Sequence, residues 1–285
     1  MNNKLLVFQS DFGILEGTVS QMHGISMKVD PTLRIFDLTH CITKFNTWEA
    51  SYSLYQTCHA WPEETVFVSV IDPGVGSARK SVVAKTRAGH YIVTPDNGTL
   101  THLKKHIGIE AVRQIDESVN RVKGSEKSHV FHGRDVYAYT GARLASGVID
   151  FDGVGPELSI EDILMHEIVD PATDGEMISG ILDIEDPHFG MVWTNVPLEF
   201  FERLNISYGD EIQTTIEHDG EVKFSEVLPY CRTFTDVHKD NELIYNNEIG
   251  NLAVATNFGS FVKKFGVQTG IRWTIRFEAC RENKK

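Results

Sequence analysis

Asp72 and Arg79 stand seven residues apart in Ile71-Asp72-Pro73-Gly74-Val75-Gly76-Ser77-Ala78-Arg79. An acid and a fixed cation joined through Pro and two Gly make either a capped surface turn or half of a polar site. Glycines there let backbone approach a small molecule without side-chain clash. Three further clusters share this character: Ser10-Asp11-Phe12-Gly13, Pro95-Asp96-Asn97-Gly98 and Phe131-His132-Gly133-Arg134-Asp135. Each alone fits ordinary turn chemistry, because Asp, Asn and Gly are the usual turn formers; Asp96-Asn97-Gly98 reads first as a structural turn. Arg134 and Asp135 fit the first turn of a helix, where the dipole favours an acid. As a set, Asp72, Arg79 and His132 supply an acid, a guanidinium and a titratable imidazole. Those are the parts needed to orient and deprotonate water and to stabilise a developing hydroxide. Asp11 offers two oxygens to a diol, the way a ribose is held in doubly wound folds.

Other chemistries find less support. Among the 12 histidines HxH and HExxH are missing and HxxxH occurs only as His102–His106, so no metal site is expected. Walker A, GxGxxG and GxSxG sequences are all missing.

The clusters act together only if the chain brings them to one place. Up to about residue 150, strand-like and helix-like runs alternate. Strands are expected at 4–9, 34–38, 65–71, 81–86, 91–94 and 111–115, with helices at 17–29, after a cap at Asn46 or Thr47, near 99–106 and at 134–146. Such alternation implies βαβ units and a largely parallel sheet. Three of the clusters follow strands, so a parallel sheet would gather them at one edge, where open α/β sheets place ligands.

After Gly147 the pattern changes. Residues 150–174 are rich in acids, Gly and Pro without a sustained period, and read as a linker. Short β-rich runs follow at 177–184, 191–196, 211–217, 222–229, 251–256 and 273–277, broken by one short helix at 198–204 and by turns such as Asp219-Gly220. The expected fold is therefore an α/β N-terminal domain, 1–165, followed by a linker and smaller antiparallel β-barrel, 166–285.

Composition agrees with a globular enzyme-sized chain of 285 residues, 41% hydrophobic and 24% charged. A net charge of −13 disfavours nucleic acid and an anionic membrane surface as partners. The four cysteines, Cys41, Cys58, Cys231 and Cys280, form no CxxC and suit reduced thiols. The apolar run Leu5–Phe8 is too short for a signal peptide, and no stretch reaches the roughly 18 apolar residues of a membrane span. A cytoplasmic protein is expected.

The four N-terminal clusters, with Asp186-Pro187-His188-Phe189-Gly190 and Asn247-Glu248-Ile249-Gly250-Asn251-Leu252, occur in an order that resembles the S-adenosyl-L-methionine (SAM) hydroxide adenosyltransferase family, related to the fluorinases and chlorinases. The resemblance runs through nearly the whole chain. It implies an α/β domain with a C-terminal barrel, assembled as a homotrimer with active sites at subunit interfaces. It also implies hydrolysis of SAM to adenosine and L-methionine by water attack at ribose C5′, with SAM as substrate and no cofactor. By the same resemblance Asp72, Arg79 and His132 activate the water, Asp11 holds the ribose hydroxyls, and Phe131, Gly133 and Phe45 lie beside the reaction centre. In the second domain Asp186 would hold the methionine ammonium, a sound charge-assisted pair, and Phe189 would pack on adenine. Glu16, Met191 and Glu248 depart from the family pattern of Asp, Asn and Ser at the positions that contact substrate.

Either Asp72 or His132 is placed to take the proton. A halide-using adenosyl halogenase is disfavoured by Asp72, since a carboxylate repels an anionic nucleophile. A non-catalytic sensor of SAM or adenosine, and a metal-dependent phosphoesterase, complete the alternatives.

Overall fold

The computed structural model describes residues 3–280, and the chain divides into two compact units between His166 and Glu167. The first unit carries, in order, β1 (Leu5–Ser10), α1 (Thr18–Val29), β2 (Arg34–Thr39), α2 (Thr47–Cys58), β3 (Val66–Val70), β4 (Ser81–Thr86), β5 (Tyr91–Pro95), β6 (Ile109–Gln114), α3 (Tyr139–Ser146) and β7 (Glu157–Leu158). Its sheet runs β2-β1-β3-β5-β4-β6-β7. The four strands β2, β1, β3 and β5 are mutually parallel, and β4, β6 and β7 extend them antiparallel. The predicted parallel sheet is thus the half that carries the polar clusters.

Alternation along β1 and β3 shows why these strands are largely apolar at both parities. Leu6, Phe8, Val66, Val68 and Val70 pack on one face with Met22, Tyr137 and Ala142, whereas Val7 and Phe67 pack on the other with Leu54 and Cys58. A sheet covered on both faces needs apolar residues at both parities. Burying each such side chain contributes about 1.5–3 kcal/mol. Asn46 caps α2 by accepting from the Glu49 N–H at 3.0 Å, as its residue type predicts.

The segment preceding α3 departs from expectation. Residues Gly133–Ala138 form a π-helical turn that runs directly into α3, and a second π-helical turn, Leu103–Ile107, replaces the short helix expected near 99–106. π turns concentrate at functional sites. The acid-rich stretch after Gly147 is also more ordered than its composition suggests. β7 pairs with β6, and Val154 and Ile163 are buried, so its first half belongs to the first unit's packing.

The second unit contains β8 (Ala172–Asp174), β9 (Met177–Asp186), β10 (Met191–Pro197), α4 (Glu199–Arg203), β11 (Glu211–His218), β12 (Glu221–Pro229), β13 (Glu242–Asn246), β14 (Asn251–Thr256), α5 (Phe261–Phe265) and β15 (Trp273–Ala279). Its antiparallel sheet runs β12-β11-β15-β9-β10-β14-β13, with β8 on β9. The edges approach each other through a bridge between Tyr230 and Ile244, which nearly closes the barrel that the strand spacing predicts. β8, β13 and α5 are additions to that prediction. No helix among the described residues is long and apolar enough to cross a membrane.

Candidate functional site

β1, β3 and β5 end side by side, and the predicted polar residues Asp11, Asp72 and Asp96 follow within two residues of their ends. After β3 the chain makes two overlapping turns, Val75 N–H to Asp72 O at 3.3 Å and Ser77 N–H to Gly74 O at 3.0 Å, with Gly76 at φ +78°. Only a glycine adopts that φ without cost. The turns return Arg79 to Asp72. Its Nε donates to Asp72 Oδ1 at 2.8 Å and its Nη2 donates to Oδ2, a bidentate pair. Side-chain exposure is 9% for Arg79 and 6% for Asp72, so the pair is desolvated rather than a surface bridge.

Four of the five Arg79 N–H groups have acceptors. Nη2 also donates to His132 Nδ1 at 3.1 Å, and Nη1 donates to Ser81 Oγ at 3.0 Å. Ser81 Oγ lies 3.1 Å from the Tyr137 hydroxyl, which itself donates to Asp72 Oδ2 at 3.5 Å. Burial alone would lower the Arg79 pKa, but the Asp72 carboxylate holds it above the ordinary arginine value. Burial chiefly, and then the Asp72 charge, push the Tyr137 hydroxyl up, so it stays a proton donor.

A guanidinium has no acceptor, so His132 Nδ1 must be the unprotonated nitrogen and Nε2 carries the hydrogen. That Nε2 is buried and makes no hydrogen bond among the described residues. Burial lowers the His132 pKa, Arg79 and Arg121 lower it further, and Glu117 and Asp72 oppose them. His132 is therefore held neutral, with an N–H donor available.

A cavity of about 590 Å³ opens over these groups, lined by Asp72, His132, Asp11, Phe45, Phe131 and Gly133 among others. Arg79 is not part of the lining; it stands behind Asp72 and His132. Asp11 is fixed through Oδ2, which accepts from the Phe45 N–H at 2.9 Å. Phe45 achieves this at φ +67°, a conformation costly for a bulky residue and typical of functional loops. Its ring is 65% exposed at the cavity mouth. Phe131 packs edge-on to Phe12 at 5.9 Å, under the Arg134 guanidinium. A Cβ at Gly133 would press on Val70 Cγ1 at 3.1 Å and Phe12 Cζ at 3.2 Å, closer than ordinary contact. Glu16 reaches the lining as well, and its Oε1 accepts from Thr18 Oγ1 at 3.0 Å.

Asp186, Phe189 and Glu248 belong to the second unit. Asp186 Oδ1 accepts from the His188 and Phe189 N–H groups, each at 2.9 Å, and Phe189 is 58% exposed. Burial first, and then the charges of Glu248 and Asp186, raise the Tyr245 hydroxyl pKa, which places both acids near that hydroxyl. Tyr245 donates to Met191 Sδ at 2.9 Å. Two of the departures, Met191 and Glu248, thus share one neighbourhood with Asp186.

Sequence reasoning missed the support behind the site. Ser81 and Tyr137 belong to no polar cluster, and Tyr137 sits in a run that reads as core. Asn97, read as a turn former, donates from Nδ2 to the Ile71 carbonyl at 2.8 Å and so ties the β5 loop to the end of β3. Its position in the third strand-end cluster was the available signal.

Comparison with known proteins follows this geometry. Residues 6–155 match the SAM hydroxide adenosyltransferase N-terminal domain and residues 180–274 match the corresponding C-terminal domain. An (R)-S-adenosyl-L-methionine hydrolase of Salinispora tropica is 31% identical over 94% of this chain and 96% of its own. A fluorinase of an Actinoplanes species is 28% identical over 96% and 97%. The crystal structure of an uncharacterized conserved protein from Thermotoga maritima superposes with a TM-score of 0.88 at 30% identity, covering 97% of this chain and all of the other. The protein belongs to the SAM hydroxide adenosyltransferase family.

Proposed function

We propose that this protein hydrolyses SAM to adenosine and L-methionine, with water attacking ribose C5′ and the sulfonium leaving as the methionine thioether. The observation that carries this reading is the buried Asp72–Arg79–His132 network set in a cavity wall that also presents Asp11. A sulfonium is already a positively charged leaving group. The protein must therefore supply position and a proton acceptor, not activation of the leaving group. Asp72 is the better acceptor, because His132 Nδ1 is occupied by Arg79 and Nε2 already bears hydrogen. Asp72 would then take the proton through a carboxylate oxygen, beside a neutral His132. Asp11 would hold the ribose diol, with Phe45 and Phe131 against the nucleoside.

Halide use is less well supported despite the fluorinase relatives. Four of the five Arg79 N–H groups are committed to Asp72, Ser81 or His132, and Arg79 is not part of the cavity lining, so the guanidinium is poorly placed to hold an anion. In the same reading the exposed mouth is completed by further copies of the chain as a homotrimer, and Asp186, Phe189 and Glu248 contribute to substrate binding.

Mass spectrometry of the products formed from SAM in oxygen-18 water tests the reaction. Label in the adenosine 5′-hydroxyl is expected. Unlabelled adenosine, a halogenated nucleoside formed in chloride, or SAM recovered intact after long incubation would each overturn it.

A further inference from the structure

On the outer edge of the parallel sheet, away from the groups assigned to catalysis, two imidazoles converge on one carboxylate. His23 projects from α1, Asp37 from β2, and His40 follows the end of β2. His23 Nε2 lies 2.8 Å from Asp37 Oδ1 and His40 Nε2 lies 3.0 Å from the same oxygen. One donor atom from each of the three residues falls within 4.8 Å of the others. We propose that His23, Asp37 and His40 form a binding site for a divalent transition-metal ion of the zinc class. This inference does not depend on the reaction assigned to the cavity.

His40 supplies the second observation. Its side chain is only 3% exposed, yet its Nε2 makes no directed hydrogen bond despite its closeness to Asp37. A buried ring nitrogen without a hydrogen bond is costly unless something accepts its lone pair. The other ring nitrogen is held. His40 Nδ1 lies 2.7 Å from Ser10 Oγ. With Nδ1–H donating to that hydroxyl, Nε2 is left as a free lone pair, the arrangement by which metal-binding histidines are oriented.

The donor set fits the ion. Two neutral imidazoles and one carboxylate, with a fourth position open to solvent, match zinc sites that keep an exchangeable ligand. Bonds of about 2.0–2.2 Å in a tetrahedron need donor atoms roughly 3.3 Å apart, close to the 2.8 and 3.0 Å separations from Asp37 Oδ1. Asp37 and His23 are 42% and 33% exposed and provide the entry path. Imidazole nitrogen favours zinc, cobalt or nickel over calcium or magnesium.

The site would also clamp the loop that carries Asp11. Besides the Ser10 contact, the Gly13 N–H donates to the His40 carbonyl at 2.7 Å. An ion on His40 would thus join α1, β2 and both sides of Asp11.

The full chain, stripped with chelator, is titrated with Zn²⁺ by calorimetry and with Co²⁺ by visible absorption. One equivalent per chain is expected, with a rise in melting temperature on Zn²⁺ addition. His23→Ala and Asp37→Asn should each weaken binding at least tenfold and abolish that rise, since even outer-shell changes cost about 10–100-fold. Neither residue lies in the catalytic cavity; the metal-free variants give up the Asp37 contacts and, in His23→Ala, the ring contact with Phe8, so each variant's Zn²⁺-dependent rise is compared with its own metal-free melting temperature. Failure of the parent to bind would overturn the assignment. So would binding retained in either variant, as when the exposed thiol of Cys41 holds the ion.

Discussion

At the scale of single residues, the site is governed by how Arg79 divides its hydrogen bonds. Asp72 receives two of them, so its removal has two costs: the proton acceptor disappears and a desolvated guanidinium loses its partner. Breaking one side of a buried pair typically costs about 3–5 kcal/mol. Asp72→Asn keeps the shape and one accepting oxygen, so it should fold with a lowered melting temperature. Its adenosine release should fall by ~10²–10⁴, the usual contribution of a general base. Turnover equal to the parent in a steady-state assay would remove Asp72 from the mechanism. The Arg79 bond to His132 also fixes a pH dependence. Burial, aided by the arginine charges, holds the His132 pKa below the ordinary 6.5. The unfolded chain therefore binds that proton more readily than the folded one. His132's contribution to stability is present above pH 6.5 and is lost as pH falls from there through the depressed value. Protonation would also put a hydrogen on Nδ1, against the Arg79 donor. The acid limb of kcat/KM should therefore have its midpoint below 6.5, and the residual turnover of His132→Gln should be flat across it. An identical acid limb in that variant would assign the titration to another group, such as His166, which burial also shifts downward.

At the scale of elements, the site depends on how closely the 133–146 helix lies on the sheet. Gly133 meets Val70 and Phe12, and Gly141, two turns later, faces β3 and β1: a Cβ there would fall 2.5 Å from Val68 Cγ2 and 3.3 Å from Leu6 Cδ1. Gly141→Ala should therefore push the helix outward, costing about 1–3 kcal/mol by overpacking. It should lower kcat by displacing His132 from Arg79, although residue 141 touches no substrate. Adding Val68→Ala should restore part of both losses, and a double-mutant cycle of melting temperature and kcat would detect the coupling. Strictly additive effects would show that the helix is not held off by that contact. The same helix marks how far the sequence was legible. The strands β1, β3 and β5 were readable because burial on both faces demands unbroken apolar runs, and Asp11, Asp72 and Asp96 stand where those runs stop. Parallel pairing of neighbours did the rest. The π-helical turn at 133–138 was not readable, since its residues would serve an α-helix equally well. Nor was the role of Ser81 and Tyr137, which depends on contacts 56 residues apart. β13, Glu242–Asn246, is too short to show an alternating period beside the polar run 238–241, and its place comes from pairing with β14.

At the scale of the whole molecule, the rim of the cavity is unusually apolar for a surface in contact with water. Leu15 is 99% exposed, Val130 79%, Ile14 75% and Phe45 65%. Val130 and Phe45 line the cavity, while Ile14 and Leu15 lie in the chain between the lining residues Phe12 and Glu16. Isolated exposed apolar residues need no explanation, but a group around one opening marks a surface that is covered in the working protein. The proposed homotrimer supplies that cover from other copies of the chain. Leu15 is 99% exposed among the described residues, so Leu15→Glu should change the stability of the isolated fold by no more than about 0.5 kcal/mol. In the assembly it would place a charge in an apolar contact. Sedimentation velocity should then show a smaller species than the parent, and specific activity should rise with protein concentration as mass action restores the assembly. If the variant sediments like the parent with full, concentration-independent activity, the rim is no assembly surface, and the cavity works open to solvent.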